Sequence, residues 1–273
     1  MSGPAGSGGT GVPGTPWLRV PDHAEGRIRL FCFPFAGGGA AAYRPWVPLL
    51  ADVAQVLPLH LPGREARRRE ALVRDIDVMA RAVADALAPW CREPYAFYGH
   101  SMGALLAHRT VAVLQRRGLP LPALLFAAAR RPPHMPPDLP LVHPLNRREL
   151  AAKMRNLGAT PERILEDEAL LDIFLPVLRA DFEMGETASP WRTDAPLAVP
   201  IVAMGGQCDG VRRAELSDWR LHTSKSFACR MFAGGHFFHL EHPEAVTAGV
   251  RQFLAPDPRT LSALAQSGHS IKE

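Results

Sequence analysis

Two rhythms of apolar residues alternate along this chain. Arg27-Ile28-Arg29-Leu30-Phe31-Cys32-Phe33 alternates polar and apolar positions, as a strand does. Val53 to Pro58, Pro94 to Tyr98, Leu124 to Ala128, Pro200 to Met204 and Phe227 to Phe232 are further apolar runs of strand length. Helical spacing separates them, over Ile76 to Leu87, Ala104 to His108 and around Ala214 to Trp219. Short strands separated by helices predict an α/β domain with a mostly parallel central sheet flanked by helices. Between Pro132 and Pro196 the rhythm changes. Leu150 to Leu157, Pro161 to Leu165 and Ala169 to Phe182 read as helices with few strands among them. A helical insertion over residues 133–197 is therefore expected to form a lid. Its apolar residues Met154, Leu157, Ile164, Leu170, Phe174, Leu178 and Phe182 are expected to pack the lid onto the core and to line a chamber in part. Residues 1–16 and 256–273 are polar or rich in Gly and Pro and are expected to be disordered, leaving a folded domain at 17–255.

The chemistry sits where the third strand gives way to a helix. Gly99-His100-Ser101-Met102-Gly103 is a G-x-S-x-G motif between a strand and a helix, the context of a nucleophile elbow. Such an elbow holds its serine on a tight turn that leaves no room for side chains two residues away. A serine hydroxyl needs a base, usually a histidine oriented by an acid, and in an elbow hydrolase the chain order is Ser, acid, His. Asp209 lies in the loop after the strand Pro200 to Met204, and His236 follows Gly234-Gly235 after the last strand. Among the rival acids, Asp218 falls within a helical pattern and Glu241 begins one. Of the other histidines, His100 is expected to pack beside the serine without taking its proton, His239 and His242 to be loop or helix-start residues, and His60, His134, His143 and His222 to be structural. Two backbone N–H donors must meet the developing oxyanion. Met102 supplies one, and Phe35 or Ala36 supplies the other from Pro34-Phe35-Ala36-Gly37-Gly38-Gly39-Ala40. That glycine-rich loop carries neither Gly-Lys-Ser/Thr nor a G-x-G-x-x-G that opens a helix, so it is not read as a phosphate cradle.

Six stretches then occur in order: Phe33-Pro34-Phe35-Ala36-Gly37-Gly38, Leu61-Pro62-Gly63-Arg64-Glu65, Gly99-His100-Ser101-Met102-Gly103, Arg130-Arg131-Pro132-Pro133-His134, Leu175-Pro176-Val177-Leu178-Arg179-Ala180-Asp181-Phe182 and Gly234-Gly235-His236-Phe237-Phe238. Together they resemble the type II thioesterases, the stand-alone editing hydrolases of polyketide and non-ribosomal peptide synthesis. The resemblance spans Arg29 to Phe253. It implies an α/β-hydrolase fold, a triad of Ser101, Asp209 and His236, and an oxyanion hole at Ala36 and Met102. It also implies that no cofactor or metal is bound, and that the substrate arrives on the phosphopantetheine arm of an acyl or peptidyl carrier protein, a transient partner. There are departures. Phe35 stands where many members have histidine, Phe126-Ala127-Ala128-Ala129-Arg130 has alanines where Ser-Gly is usual, and Ala188 stands near a common tyrosine. The first is expected to reshape the acyl entrance and the last the chamber.

Composition narrows the remaining classes. A chain of 273 residues that is 47% apolar can bury one substantial core. No run approaches about 18 apolar residues, so no transmembrane helix is expected, and the first residues lack the basic start and apolar centre of a secretory leader. Four scattered cysteines without a C-x-x-C pair fit a reducing cytoplasm, with Cys32 and Cys229 expected to be buried. The net charge of +4 is gathered in Arg64 to Glu70, Arg116-Arg117, Arg130-Arg131 and Arg147-Arg148. No aromatic interleaving accompanies these clusters, so nucleic acid is not expected. They read as solvated faces or as a complement to an acidic carrier. Three rivals stay open: a carboxylesterase or lipase with the same triad, a fatty-acyl thioesterase tuned to chain length, and a catalytically silent carrier-binding scaffold.

Overall fold

A computed structural model describes residues 15–19, 27–91, 94–158, 160, 162–191 and 196–254. The expected tails lie outside these residues, apart from Thr15 and Pro16, and so does Pro161. Six strands form one sheet: β1 (Ile28–Phe33), β2 (Ala54–Pro58), β3 (Tyr95–His100), β4 (Leu124–Ala128), β5 (Ile201–Gly206) and β6 (Phe227–Phe232). The helices are α1 (Trp46–Leu50), α2 (Ile76–Leu87), α3 (Met102–Arg116), α4 (Arg147–Leu157), α5 (Glu162–Glu166), α6 (Glu168–Glu186), α7 (Arg213–Ser217), α8 (Phe238–Glu241) and α9 (Pro243–Leu254).

The strand order is β2-β1-β3-β4-β5-β6, and every neighbouring pair is parallel. The order reverses once, around β1. Loops leaving the carboxyl ends of β1 and β3 therefore diverge to opposite faces, which opens the crevice where ligands bind in open α/β sheets. Register brings the working loops to one edge: Phe33 lies opposite Gly99, His100 opposite Ala128, and Gly206 opposite Phe232.

Successive strand side chains face opposite sides. Phe31, Phe33, Tyr95 and Phe97 accordingly enter one core, with Met79 and Val83 of α2 and Leu105 and Leu106 of α3. Leu30, Cys32, Ala96 and Tyr98 enter the other, against Trp46 of α1 and Val250 and Phe253 of α9. β3 and β4 are buried along their whole length, as parallel strands covered on both faces must be. β6 differs. It is an edge strand with one neighbour, Arg230 is exposed and its other residues are partly buried, so Cys229 is half-buried against the core where full burial was expected. Glu241 also departs from expectation. It ends α8 instead of beginning a helix, because Pro243 opens α9 two residues later.

Helices α4, α5 and α6 occupy the chain between β4 and β5, as the change of rhythm predicted. They share a small core of Leu150, Met154, Leu165, Leu171, Leu175 and Leu178. α6 continues a turn past the expected Phe182 and carries Pro176 inside it. Leu170, expected among the inward residues, faces solvent at 42% exposure.

Candidate active site

Ser101 joins β3 to α3 with φ 53° and ψ −116°, a strained conformation that costs on the order of 1–3 kcal/mol. Its surroundings enforce the motif. A Cβ on Gly99 would collide with the carbonyl oxygen of Gly103, and one on Gly103 with that of Phe33. The N–H of Ser101 donates to the carbonyl of Ala128 at 2.8 Å, which ties the elbow to the end of β4. Ala129, next in that strand's exit, has φ 51°. Glycine adopts this left-handed backbone freely, whereas alanine bears about 1–2 kcal/mol of strain.

Two loops deliver the partners of Ser101. Gln207 donates its N–H to Phe232 at 2.8 Å and Cys208 to Gly234 at 2.9 Å, so the exits of β5 and β6 run side by side. Asp209 ends the first exit and His236 the second. His236 Nε2 lies 3.1 Å from Ser101 Oγ, and His236 Nδ1 lies 3.0 Å from each carboxylate oxygen of Asp209. Asp209 is nearly buried, at 5% side-chain exposure, and His236 keeps 19%. With Nδ1–H donating to the carboxylate, Nε2 is free to accept the serine proton. Glu241, the rejected acid, braces the same loop by accepting the N–H of Gly235 at 3.1 Å. Asp218 stands apart, in the 3-10 turn Asp218–His222 that follows α7.

His100 has a larger part than the sequence indicates. It donates from Nε2 to the backbone carbonyl of His236 at 2.8 Å and stacks on His239, with ring centroids 3.7 Å apart. Burial, with His239 and His236 adding to it, pushes the His100 pKa far down. A neutral imidazole thus holds the main chain of His236. No local pattern signals this, since the partner is a carbonyl 136 residues away. A second, partly buried group sets His134 Nδ1 2.8 Å from His222 Nε2, beside His108.

Ala36 and Met102 both line the cavity beside Ser101. Met102 is the first residue of α3, where a helix N–H has no intrahelical partner. The Phe35 ring packs against Phe237 and His239 at the same wall. The cavity measures about 660 Å³. Met154, Leu157, Ile164, Phe174 and Phe182 of the insertion line it, whereas Leu178 is spent on packing. Most of the arginine clusters are spent within the molecule too. Arg64 and Arg67 are each 8% exposed; Arg64 pairs with Asp181, and Arg67 pairs with Glu70 and covers Trp17. Arg130 donates to the carbonyl of Gly185, Arg117 pairs with Asp85, and Arg147 with Asp172. Arg68, Arg69, Arg116 and Arg148 of the same clusters remain exposed.

A parallel sheet with a serine elbow at its carboxyl edge, and exits of the last two strands folded over it, defines an α/β hydrolase. Among solved structures, the type II thioesterase BorB from the borrelidin biosynthetic cluster is similar with a TM-score of 0.80 at 35% identity, over 90% of this chain and 100% of the other. Thioesterase PikA5 of Streptomyces venezuelae is 36% identical over 256 residues, 90% of this chain and 89% of that protein. Linear gramicidin dehydrogenase LgrE of Brevibacillus parabrevis is 37% identical over 250 residues, 90% and 95% of the respective chains. Residues 28–254 match the family model described as Thioesterase domain, and the chain belongs to that family of thioester hydrolases.

Proposed function

We propose that this protein hydrolyses acyl groups from the phosphopantetheine arm of carrier proteins and so clears stalled or aberrant chains during polyketide or non-ribosomal peptide synthesis. One observation carries the reading: a Ser101–His236–Asp209 relay of hydrogen-bond length at the mouth of an apolar cavity of about 660 Å³. His236 takes the proton of Ser101 as Oγ attacks the thioester carbonyl, while Asp209 fixes the imidazole and stabilises its cationic form. The N–H groups of Ala36 and Met102 receive the oxyanion. The pantetheine thiol leaves with the proton from His236. Water, deprotonated by the same histidine, then releases the acid from Ser101. Every step uses side chains and backbone amides of this chain. The carrier as partner is supported by the family and by the named pathways of its relatives.

The dehydrogenase in the name of the gramicidin relative does not transfer. A dinucleotide loop needs free amides for phosphate. Here Asp181 accepts the N–H of Gly37, and Glu65 accepts those of Ala40 and Ala41.

Acyl-loaded carrier proteins of increasing chain length, followed by intact-protein mass spectrometry, test the proposal. Release by wild type but not by Ser101→Ala is expected, with short and varied chains accepted. A sharp chain-length optimum would instead favour fatty-acid release. Loaded carriers that survive while simple esters are cleaved would leave an esterase.

A further inference from the structure

Two of the ordered motifs contribute nothing to the triad. Leu61 to Glu65 follows β2, and Leu175 to Phe182 lies on α6. They nevertheless meet. Arg64 Nη1 donates to Asp181 Oδ2 at 2.6 Å and Arg64 Nη2 to Asp181 Oδ1 at 2.7 Å, with the aspartate side chain fully buried. The pair grips a third segment. Gly37 donates its N–H to Asp181 Oδ2 at 2.8 Å, and Arg64 Nη1 also donates to the carbonyl of Gly38 at 3.1 Å. Both held groups lie within two residues of Ala36.

We propose that Arg64 and Asp181 are positioning residues for the oxyanion hole, holding the loop after β1 so that the Ala36 N–H meets the reacting oxygen; this rests on the reading of Ser101 as nucleophile. A buried ion pair is weak support for a fold, because desolvating both charges offsets most of their attraction. Its value lies in direction. A bidentate arginine fork fixes its carboxylate in plane and angle as a single ammonium contact does not. The neighbouring contacts point the same way. α6 presses on the loop closely enough that a Cβ on Gly37 would lie 2.8 Å from Phe174 Cζ and 2.9 Å from Leu178 Cδ1. Glu65, adjacent to Arg64, takes the N–H groups of Ala40 and Ala41 at 3.1 Å each. The loop is therefore clamped at three amides downstream of Ala36. An oxyanion donor needs such placement, since its contribution falls steeply with misalignment.

Two variants separate positioning from support. Arg64→Met/Asp181→Leu removes both charges together and so avoids an unpaired buried ion, while releasing Gly37 and Gly38. Asp181→Glu keeps the charge pair but moves the carboxylate by one methylene. Hydrolysis of a p-nitrophenyl ester reads the oxyanion hole whether or not carriers are substrates, and far-UV circular dichroism reports the fold. The expected result for each folded variant is a fall in kcat of ~100-fold, as for loss of one oxyanion donor, with KM changed less than about threefold. Wild-type kcat in a folded variant overturns the proposal. So does failure of both variants to fold, which would make the pair structural. A wild-type protein that cleaves neither ester nor carrier thioester overturns the reading of Ser101 itself; ester cleavage without carrier cleavage overturns only the substrate.

Discussion

Gly103 has no room for a methyl group. Its missing Cβ faces the carbonyl oxygens of Phe33 and Pro34, which are backbone and cannot rotate away. Gly103→Ala should therefore cost at least about 3 kcal/mol in urea unfolding and abolish hydrolysis, since the elbow must open to admit it. A stable, active variant would show that the elbow relaxes freely. Demands of this kind leave a trace in residue type, which is why Gly99, Ser101, Gly103 and the glycines before His236 were legible from sequence. His100 and the Arg64–Asp181 pair were not. An arginine in sequence looks the same whether it is solvated or buried, and Asp181 lies 117 residues beyond Arg64. Their roles are properties of tertiary contact, and local pattern carries no record of them.

Among the helices, legibility followed length and amphipathicity. α2 begins and ends where its spacing predicts, with Ile76, Met79, Ala80, Val83, Ala84 and Leu87 on the buried stripe. Asp75 caps it, accepting the N–H groups of Asp77 and Val78 at 2.8 Å each. Asp75→Ala is expected to lower stability by about 1 kcal/mol while leaving kcat unchanged, because the cap lies away from the triad. A change in kcat would tie α2 to the site. α1 escaped the sequence reading because five residues do not establish a helical period. The apolar spacing of the inserted helices marks their inward face at every expected position but Leu170. Leu170 and Phe174 sit four residues apart on α6, yet one faces solvent and the other the cavity. Only the packing of α6 against the β1 loop decides between them.

Across the whole molecule, buried histidines set the response to acid. Burial, with His134 and Arg109 adding to it, lowers His222 to about 4, and burial with His236 lowers His239 to about 3. In the unfolded chain both return to about 6.5. Between those limits the unfolded state binds more protons, so stability rises with pH across the window and is lost as pH falls below about 6.5. The urea midpoint should drop progressively from pH 7 to pH 4; a flat midpoint between pH 7 and 5 would show that these histidines take up protons without unfolding. Edge position has a further consequence for His236. The strand that carries its loop, β6, has a single hydrogen-bonded neighbour and partly exposed side chains, whereas Ser101 hangs from β3, which is flanked on both sides and buried throughout. Proteins open locally where such protection is thinnest, at free energies well below that of global unfolding. Fraying of β6 would carry His236 away from an otherwise intact Ser101, and with it the proposed base. Hydrolysis should accordingly fail at lower urea than the far-UV circular dichroism signal, with amides of β6 exchanging before those of β3. Coincident transitions would mean that the outer strand opens only with the whole sheet.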